Sequence, residues 1–280
     1  MSGSTEGDVE DEDGDLTRKQ RREQARAHRR ELEDAEAAQA VRRTRLTQRG
    51  IVVASVVVAV VVILIATGGS SKHGIPKPGP ARNQVVSEVR AVVGGIPESG
   101  NVLGNPRAPA TLEYFGDLEC PICKAFTLEA LPSIVQRWVR SGKLKIEYRA
   151  METATHGPEV FRAQQVAALA AGKQNKMWYF LEIFYHEQGE ENTEYVTESY
   201  LQGLAQQVPG LNLARWTSDR SGPALISQIT SDQQAAATAG FSGTPSFQLG
   251  KTGGTLQKFE PGTFTEAAPY NAAIEKLLHR

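Results

Sequence analysis

The spacing of hydrophobic and polar positions divides the chain into an N-terminal third and a C-terminal part with different patterns. Residues 1–50 contain almost no large apolar side chain and predict a disordered region, because such a segment cannot bury a core. Residues 51–67, IVVASVVVAVVVILIAT, are apolar at every position except Ser55 and Thr67. As a helix this run would reach about 26 Å, close to the hydrocarbon thickness of a membrane at about 30 Å. It therefore predicts a transmembrane helix, and the Gly-, Pro- and Ser-rich residues 68–100 after it predict a linker, within which 85–93 is a candidate short helix or strand.

The C-terminal part alternates between strand and helix patterns. The run TLEYF at 111–115 is β-branched and aromatic, and LKIEY at 144–148 alternates, so both predict strands. Between them, apolar residues recur at three- and four-residue steps, which predicts a helix that Pro132 interrupts. Residues at about 155–238 contain four apolar helical stripes and predict an all-α subdomain of about four helices. The end of the chain predicts two more strands around a Gly-Gly turn and a closing helix, at 243–249, 255–259 and 264–278.

Charge changes the interpretation of the apolar run. The whole chain is balanced, with 31 Lys and Arg against 32 Asp and Glu, so no global field points to a nucleic-acid partner. Only Lys72 and Lys77 follow the run closely, whereas four arginines lie immediately before it, at Arg42, Arg43, Arg45 and Arg49. Positive residues stay on the cytoplasmic side, so we expect 1–50 in the cytoplasm and 51–67 as an uncleaved signal anchor. This predicts a single-pass cell-membrane protein with an extracytoplasmic domain. For the Arg-rich part of residues 1–50, an extended arm that binds nucleic acid is the alternative.

Cys120 and Cys123 are the only cysteines of the chain and form a Cys-x-x-Cys motif. This spacing brings two sulfurs together at the start of a helix, where the dipole favours a Cys120 thiolate and Cys123 can close a disulfide onto it. A structural staple and a metal half-site are the alternatives. A staple over so short a loop would stabilise little, and zinc needs about four ligands, which the five scattered histidines do not complete. The pattern favours reversible disulfide exchange by these two catalytic residues, with no metal and no cofactor.

Three motifs follow one another along the C-terminal part. LGNPRAP at 103–109 precedes the first predicted strand, DLECPIC at 117–123 follows it, and Gly-Thr-Pro at 243–245 lies beyond the helical segment. This arrangement resembles the DsbA-like branch of the thioredoxin superfamily, including its membrane-tethered bacterial forms, over roughly residues 85–280. The resemblance implies an α/β thioredoxin fold with an inserted all-α subdomain, in a domain that we expect to occupy residues 101–280.

The resemblance also implies roles for residues outside the cysteine pair. Pro245 would be a cis-proline beside the disulfide, with a turn or edge proline as the alternative. Thr244 would pair its backbone with a substrate strand and tune the nucleophile through its hydroxyl. Glu113 is a candidate buried acid for proton transfer from Cys123, although an exposed strand glutamate is equally compatible with its position.

Pro121 and Ile122, between the two cysteines, are expected to tune the redox potential. Strongly oxidising relatives carry Pro-His there, and Ile cannot donate the hydrogen bond that His supplies. We therefore expect a potential between the thioredoxin and strong-oxidant limits of roughly −270 and −120 mV. Asp117 and Glu119 flank the motif, and their negative charges would raise the pKa of Cys120 if they lay close to it.

The function that the resemblance implies is disulfide exchange outside the cytoplasm. We expect a membrane-anchored oxidoreductase that oxidises cysteine pairs in exported proteins and is reoxidised by a membrane quinone-linked partner. A reductase or an isomerase would use the same residues, and a non-catalytic thioredoxin-fold module that binds partner proteins is the second class. Reactivity of Cys120 separates the enzyme from the interaction module.

Overall fold

The computed structural model describes residues 79–191 and 193–279. The predicted cytoplasmic region 1–50 and the predicted anchor 51–67 lie outside these residues, as do residues 68–78 of the predicted linker. Within the described ranges, no helix combines the length and the apolar character needed to cross a membrane.

A mixed sheet forms the centre of the described part of the chain. Its order is β1-β2-β4-β3-β5-β6, and only the central β3–β4 pair is parallel. Parallel neighbours need a crossover, which here is the helix that follows the cysteine motif. The four strands predicted from the sequence are confirmed as β3 to β6, whereas the two-residue strands β1 and β2 were not predicted. The bounds of the strands are Glu98–Ser99 (β1), Val102–Leu103 (β2), Ala110–Gly116 (β3), Leu144–Ala150 (β4), Ser246–Lys251 (β5) and Gln257–Phe259 (β6).

Helices cover both faces of this sheet. The cysteine-motif helix, α2, runs over 121–139, and the predicted insertion contains five helices in the described residues rather than about four. The missed helix, Leu213–Asp219, is short and buries only Trp216, so it has no apolar stripe that the sequence pattern could reveal. The other bounds are Pro80–Val93 (α1), Pro158–Gly172 (α3), Met177–His186 (α4), Glu198–Ala205 (α5), Leu213–Asp219 (α6), Pro223–Thr238 (α7) and Ala268–Leu278 (α8).

The prediction of a linker over 68–100, with the domain beginning at 101, is corrected by α1. Val89 and Val93 of this helix are fully buried in the main core, so residues from 80 onwards belong to the folded domain. Arg140 donates hydrogen bonds to three carbonyl groups at the end of α1, which fixes the helix against α2. Four of the five valines of α1, at 85, 89, 92 and 93, lie in or against the core and have helical spacing, but the flanking Gly- and Pro-rich composition led us to place this segment in a linker.

The interruption predicted at Pro132 takes the form of two π-helical turns in α2. The α-helical segments Pro121–Ala125 and Leu131–Ile134 alternate with the π-helical segments Phe126–Ala130 and Val135–Val139. Proline has no N–H to donate to the preceding turn, and wider turns are a known way to accommodate such a defect. The helix nevertheless stays continuous and buries its apolar face on the sheet.

The two faces of β3 belong to different layers. Leu112 and Tyr114 lie in the main core together with both cysteines, whereas Phe115 belongs to a small second cluster with Met151 and Ala236 of α7. Side chains alternate along a strand, so neighbours of Phe115 at two-residue steps also face away from the cysteines. Glu113 lies two residues before Phe115, so its side chain is on the face of β3 that Phe115 shares and not on the face of the cysteines.

Candidate active site

Cys120 and Cys123 lie at the beginning of α2 and belong to the main core. Cys120 is the N-cap residue with an extended backbone, and its sulfur accepts a hydrogen bond from the N–H of Cys123 at 3.4 Å. Pro121 occupies the first helical position, where its missing N–H costs no hydrogen bond. Both cysteines are free thiols; Cys120 is 5% exposed and Cys123 is completely buried. The nucleophile predicted from the motif is therefore the more accessible of the two.

The surroundings of the two sulfurs shift their acidities in opposite directions. Hydrogen bonding to Cys123 is the main cause that lowers the pKa of Cys120 to about 7, with help from Thr244 and from the N–H groups of Cys123 and Ile122, against the opposing effect of burial. Burial is the main cause that raises the pKa of Cys123 well above its ordinary value, and Cys120 raises it further. At pH 7 about half of the Cys120 groups are therefore thiolates while Cys123 stays protonated.

Thr244 and Pro245 lie against the cysteine pair. Their peptide bond is cis, as the resemblance implied, and Pro245 is buried. The Cys120 thiol donates to the carbonyl oxygen of Thr244 at 3.4 Å, and the Thr244 hydroxyl lies 2.5 Å from the hydroxyl of Thr153. The Gly-Thr-Pro motif, 124 positions along the chain from the nucleophile, is thus brought into direct contact with it.

Ile122 reaches solvent beside the pair, with 39% of its surface exposed. The backbone N–H of Ile122 contributes to lowering the pKa of Cys120, although the side chain has no donor. The tuning predicted for this pair would therefore act through the backbone N–H of Ile122 and not through a side-chain hydrogen bond.

Glu113 does not lie where a proton acceptor for Cys123 would have to be. Its carboxylate accepts two hydrogen bonds from Arg149, at 2.6 and 2.9 Å, on the face of β3 that α7 covers. Arg149 also pairs with Asp232 of α7 at 3.2 Å. The predicted role in proton transfer is corrected: Glu113 is 7% exposed and belongs to an ion-pair cluster on the other face of the sheet.

The carboxylate of Asp117, which is fully buried, organises the backbone around the cysteines. One oxygen accepts the N–H groups of Thr153, Ala154 and Thr155 at 2.9 to 3.0 Å. The other accepts the N–H of Glu119 at 3.1 Å and the hydroxyl of Thr155 at 2.5 Å. Sequence reasoning treated Asp117 only as a charge near Cys120, and no local pattern indicates these five hydrogen bonds.

Comparison with known proteins decides the family. The family model for thioredoxin matches residues 98–258, which is more than half of the chain. The chain belongs to the thioredoxin family. It is 26% identical over 153 residues to disulfide bond formation protein D of Bacillus subtilis (strain 168), covering 53% of this chain and 66% of that protein. The chain spans about two thirds of the length of the three Bacillus relatives that it matches.

Solved structures show the same fold. Oxidised BdbD from Bacillus subtilis has a TM-score of 0.56 at 23% identity and covers 66% of this chain and 97% of that chain. The α-DsbA1 of Wolbachia pipientis has a TM-score of 0.54 at 18% identity and covers 64% of this chain and 90% of that chain. The thioredoxin fold that the motifs predicted is confirmed.

In this thioredoxin-family domain the helical insertion contributes directly to the site. Tyr185, at the end of α4, donates its hydroxyl to the carbonyl oxygen of Asp117 at 3.3 Å. Gln188 follows α4 and donates to the carbonyl oxygens of Leu118 and Cys120 at 2.7 and 3.1 Å. Sequence reasoning missed both residues, because a single Tyr or Gln after a helix carries no sign of what it contacts.

Glu119, directly before the nucleophile, is buried as well. Burial is the main cause that raises the pKa of its carboxyl to about 7, and the neighbouring Asp117 adds to the rise. About half of the Glu119 groups are neutral at pH 7, which weakens the opposition to a Cys120 thiolate that the sequence suggested. Across the described ranges no cluster of three or more His, Cys, Asp or Glu residues is arranged to hold a metal ion.

Proposed function

We propose that the protein is a membrane-anchored thiol:disulfide oxidoreductase that acts outside the cytoplasm and introduces disulfides into exported proteins through Cys120 and Cys123. The observation that carries this proposal is the opposite shift in acidity of the two thiols beside the Thr244 carbonyl. At pH 7 Cys120 can be a thiolate while Cys123 remains a thiol. Disulfide exchange needs these two states, because only the thiolate reacts with a disulfide of another molecule.

The reaction follows from this division. In the oxidised enzyme a substrate thiolate attacks the Cys120 sulfur, the Cys120–Cys123 bond breaks, and Cys123 leaves and takes up a proton. A second substrate thiolate then attacks the substrate sulfur of the mixed disulfide and releases the Cys120 thiolate. Two electrons pass from the substrate thiols to the enzyme, and the substrate gains one disulfide. Because the pKa of Cys120 is low, its thiolate leaves more readily in this second step than a cysteine of ordinary pKa would.

The direction of transfer depends on how strongly the Cys120 thiolate is stabilised. Each unit by which its pKa falls stabilises the reduced enzyme by about 1.4 kcal/mol, or about 30 mV. The pKa of about 7 equals the value of about 7 in thioredoxin and exceeds the value of about 3.5 in the strong oxidant DsbA. Taken alone, this pKa supports a potential nearer the thioredoxin limit than the DsbA limit, so oxidation over reduction is favoured only by the name of the Bacillus relatives, disulfide bond formation protein.

The partners and the location belong to the same proposal. The apolar run at 51–67 would anchor the protein in the cell membrane, with 1–50 in the cytoplasm and the thioredoxin-family domain outside. Substrates would be exported proteins with cysteine pairs, and a membrane quinone-linked protein would reoxidise the Cys120–Cys123 pair.

The test is the redox potential of the full-length protein in a glutathione series, with Cys120→Ser as the control. A potential above about −180 mV supports an enzyme that introduces disulfides, whereas one near −270 mV assigns a reductase. Failure of Cys120 to react with any disulfide in the folded protein would instead assign a non-catalytic interaction module.

A further inference from the structure

Gln188 is the side chain of the helical insertion that reaches the backbone of the nucleophile itself. Its amide nitrogen donates to the carbonyl oxygen of Leu118 at 2.7 Å and to that of Cys120 at 3.1 Å. A side-chain amide carries two hydrogens, so one residue can make both bonds. The backbone carbonyl oxygen of Gln188 accepts a hydrogen bond from Lys124 of α2 at 3.4 Å. Gln188 is buried, and it is joined both to the segment before Cys120 and to the beginning of α2.

The backbone bonds of Cys120 determine where its side chain starts. The N–H of Cys120 donates to the carbonyl oxygen of Asp117 at 3.1 Å, and its carbonyl oxygen accepts the N–H of Lys124 at 3.1 Å. Gln188 holds the same Cys120 carbonyl a second time and also holds the carbonyl of Leu118, in the middle of the turn 117–120. Where the N–H and the C=O of a residue are both held, φ and ψ are fixed, and the direction of its side chain depends on χ1 alone.

The sulfur of Cys120 depends on this backbone for its own hydrogen bond. The N–H of Cys123, in the first turn of α2, donates to the Cys120 sulfur at 3.4 Å. A shift of the Cys120 backbone relative to this turn changes the distance and the angle of that bond, and hydrogen bonds weaken steeply when the angle is lost. An N–H that points at sulfur favours the thiolate over the thiol.

We propose that Gln188 is a positioning residue: by holding the carbonyl groups of Leu118 and Cys120, it keeps the Cys120 sulfur against the N–H of Cys123. The inference rests on the proposed function, because the Cys120 thiolate is the group that disulfide exchange uses. Without the amide of Gln188, the buried Leu118 carbonyl would lose this donor, which is costly in the protein interior. The peptide group would then turn toward another donor and take the Cys120 backbone with it.

The chain offers a matched control in Gln174. Gln174 lies two residues after the end of α3, just as Gln188 lies two residues after the end of α4. Its side chain also makes two hydrogen bonds to backbone groups, both of Asn212, at 3.1 and 2.9 Å. These bonds join it to the beginning of α6 and not to the cysteine motif. Replacement of Gln174 therefore removes a similar contact without affecting the backbone of Cys120.

The experiment compares Gln188→Met, Gln188→Asn and Gln174→Met in the reduced full-length protein. Methionine has a similar length and no donor. Asparagine keeps the amide but is one carbon–carbon bond shorter, about 1.5 Å, which leaves both carbonyl oxygens out of hydrogen-bond range. The pKa of Cys120 is measured from the pH dependence of its alkylation, which the buried, protonated Cys123 does not disturb. The unfolding midpoint in denaturant reports the structural effect of each replacement separately.

The inference predicts a selective effect on acidity. Gln188→Met and Gln188→Asn should each raise the pKa of Cys120 by about half a unit, a roughly threefold smaller thiolate-to-thiol ratio at a given pH. Gln174→Met should leave this pKa unchanged, even where it lowers the unfolding midpoint as much. An unchanged pKa in either folded Gln188 variant would overturn the inference. An equal shift in Gln174→Met would overturn it too, because acidity would then follow general stability.

These outcomes are distinct from failure of the proposed function. The proposed function fails if wild-type Cys120 does not exchange with disulfides, whatever its pKa. The role of Gln188 fails if wild-type Cys120 exchanges normally and the Gln188 variants keep its acidity.

Discussion

Replacement of Glu182 by Gln should change how protein stability depends on pH. Glu182 lies on α4 with its side chain buried, and neither carboxyl oxygen has a hydrogen-bond partner among the residues that the structure describes. Burial raises the pKa of this carboxyl from 4.5 to about 8. The native state thus keeps the proton that the unfolded chain loses above about pH 4.5. Stability falls as pH rises from about 4.5 to about 8 and is independent of this group above that range.

The stability lost between pH 4.5 and pH 7 depends mainly on the ionisation of Glu182 in the unfolded chain. As long as the native pKa stays above 7, the unfolded state releases one proton more, and the free energy of unfolding falls by about 1.4 kcal/mol per pH unit. Between pH 4.5 and pH 7 the loss amounts to about 3 kcal/mol. Glu182→Gln retains the shape and removes the titration. The free energy of unfolding of the variant relative to wild type should therefore rise by about 3 kcal/mol over this range.

Denaturant unfolding of both proteins at several pH values measures this difference. The buried amide of the variant adds an offset, but that offset does not depend on pH and cancels in the slope. Glu275→Gln is the control, because Glu275 is half-exposed and pairs with Arg137 at the surface. A difference between Glu182→Gln and wild type that stays constant from pH 4.5 to pH 7 would refute the reasoning, since it would mean that native Glu182 is ionised.

Three further predictions concern the site and the sheet. Asp117→Asn should lower the free energy of unfolding by about 2–3 kcal/mol, because an amide cannot accept all five donors; unchanged denaturant unfolding would contradict this. Arg149→Met should lower the free energy of unfolding by about 2 kcal/mol in the same assay, because three carboxylates lose their cation. This value is reduced from that of a fully buried pair because Arg149 is partly exposed. Alkylation of Cys120 should reach half its maximal rate near pH 7 and leave Cys123 unmodified by mass spectrometry; a midpoint near pH 9 would contradict the assigned donors.

Local patterns predicted the elements that carry the cysteines. Strand β3, the motif, α2 and β4 follow one another with spacings of two and of three to four residues, which are the periods of a strand and a helix. Helix α1 has the same kind of spacing, and only its Gly- and Pro-rich surroundings led to the prediction of a linker. Helix α6 could not be predicted in this way, since one buried Trp makes no period.

The position of Glu113 could not be derived from such periods. Alternation shows that Thr111, Glu113 and Phe115 share a face, but β3 is a central strand that is buried on both faces. Apolar residues therefore occur on each face, and nothing local tells which one α2 covers. The face on which Glu113 lies becomes known only from the packing of α7, whose Asp232 pairs with Arg149 on the face opposite α2.

The contacts of Asp117 and Thr153 were not predictable for a related reason. Asp117 contacts residues 36 to 38 positions later, and Thr153 contacts Thr244 at a separation of 91 positions. These distances along the chain exceed any period of a helix or strand. A short-range pattern therefore identifies the cysteine pair and does not predict these long-range contacts around it.

The helical insertion holds the backbone next to Cys120 through two side chains at the end of α4. The carbonyl oxygens of Asp117, Leu118 and Cys120 accept hydrogen bonds from Tyr185 and Gln188, at the end of α4. Carbonyl oxygens carry partial negative charge and would oppose a thiolate, whereas the N–H groups of Ile122 and Cys123 favour it. Each of these three carbonyl groups thus has a donor from the insertion, whereas the backbone groups that favour the thiolate come from the first turn of α2 itself.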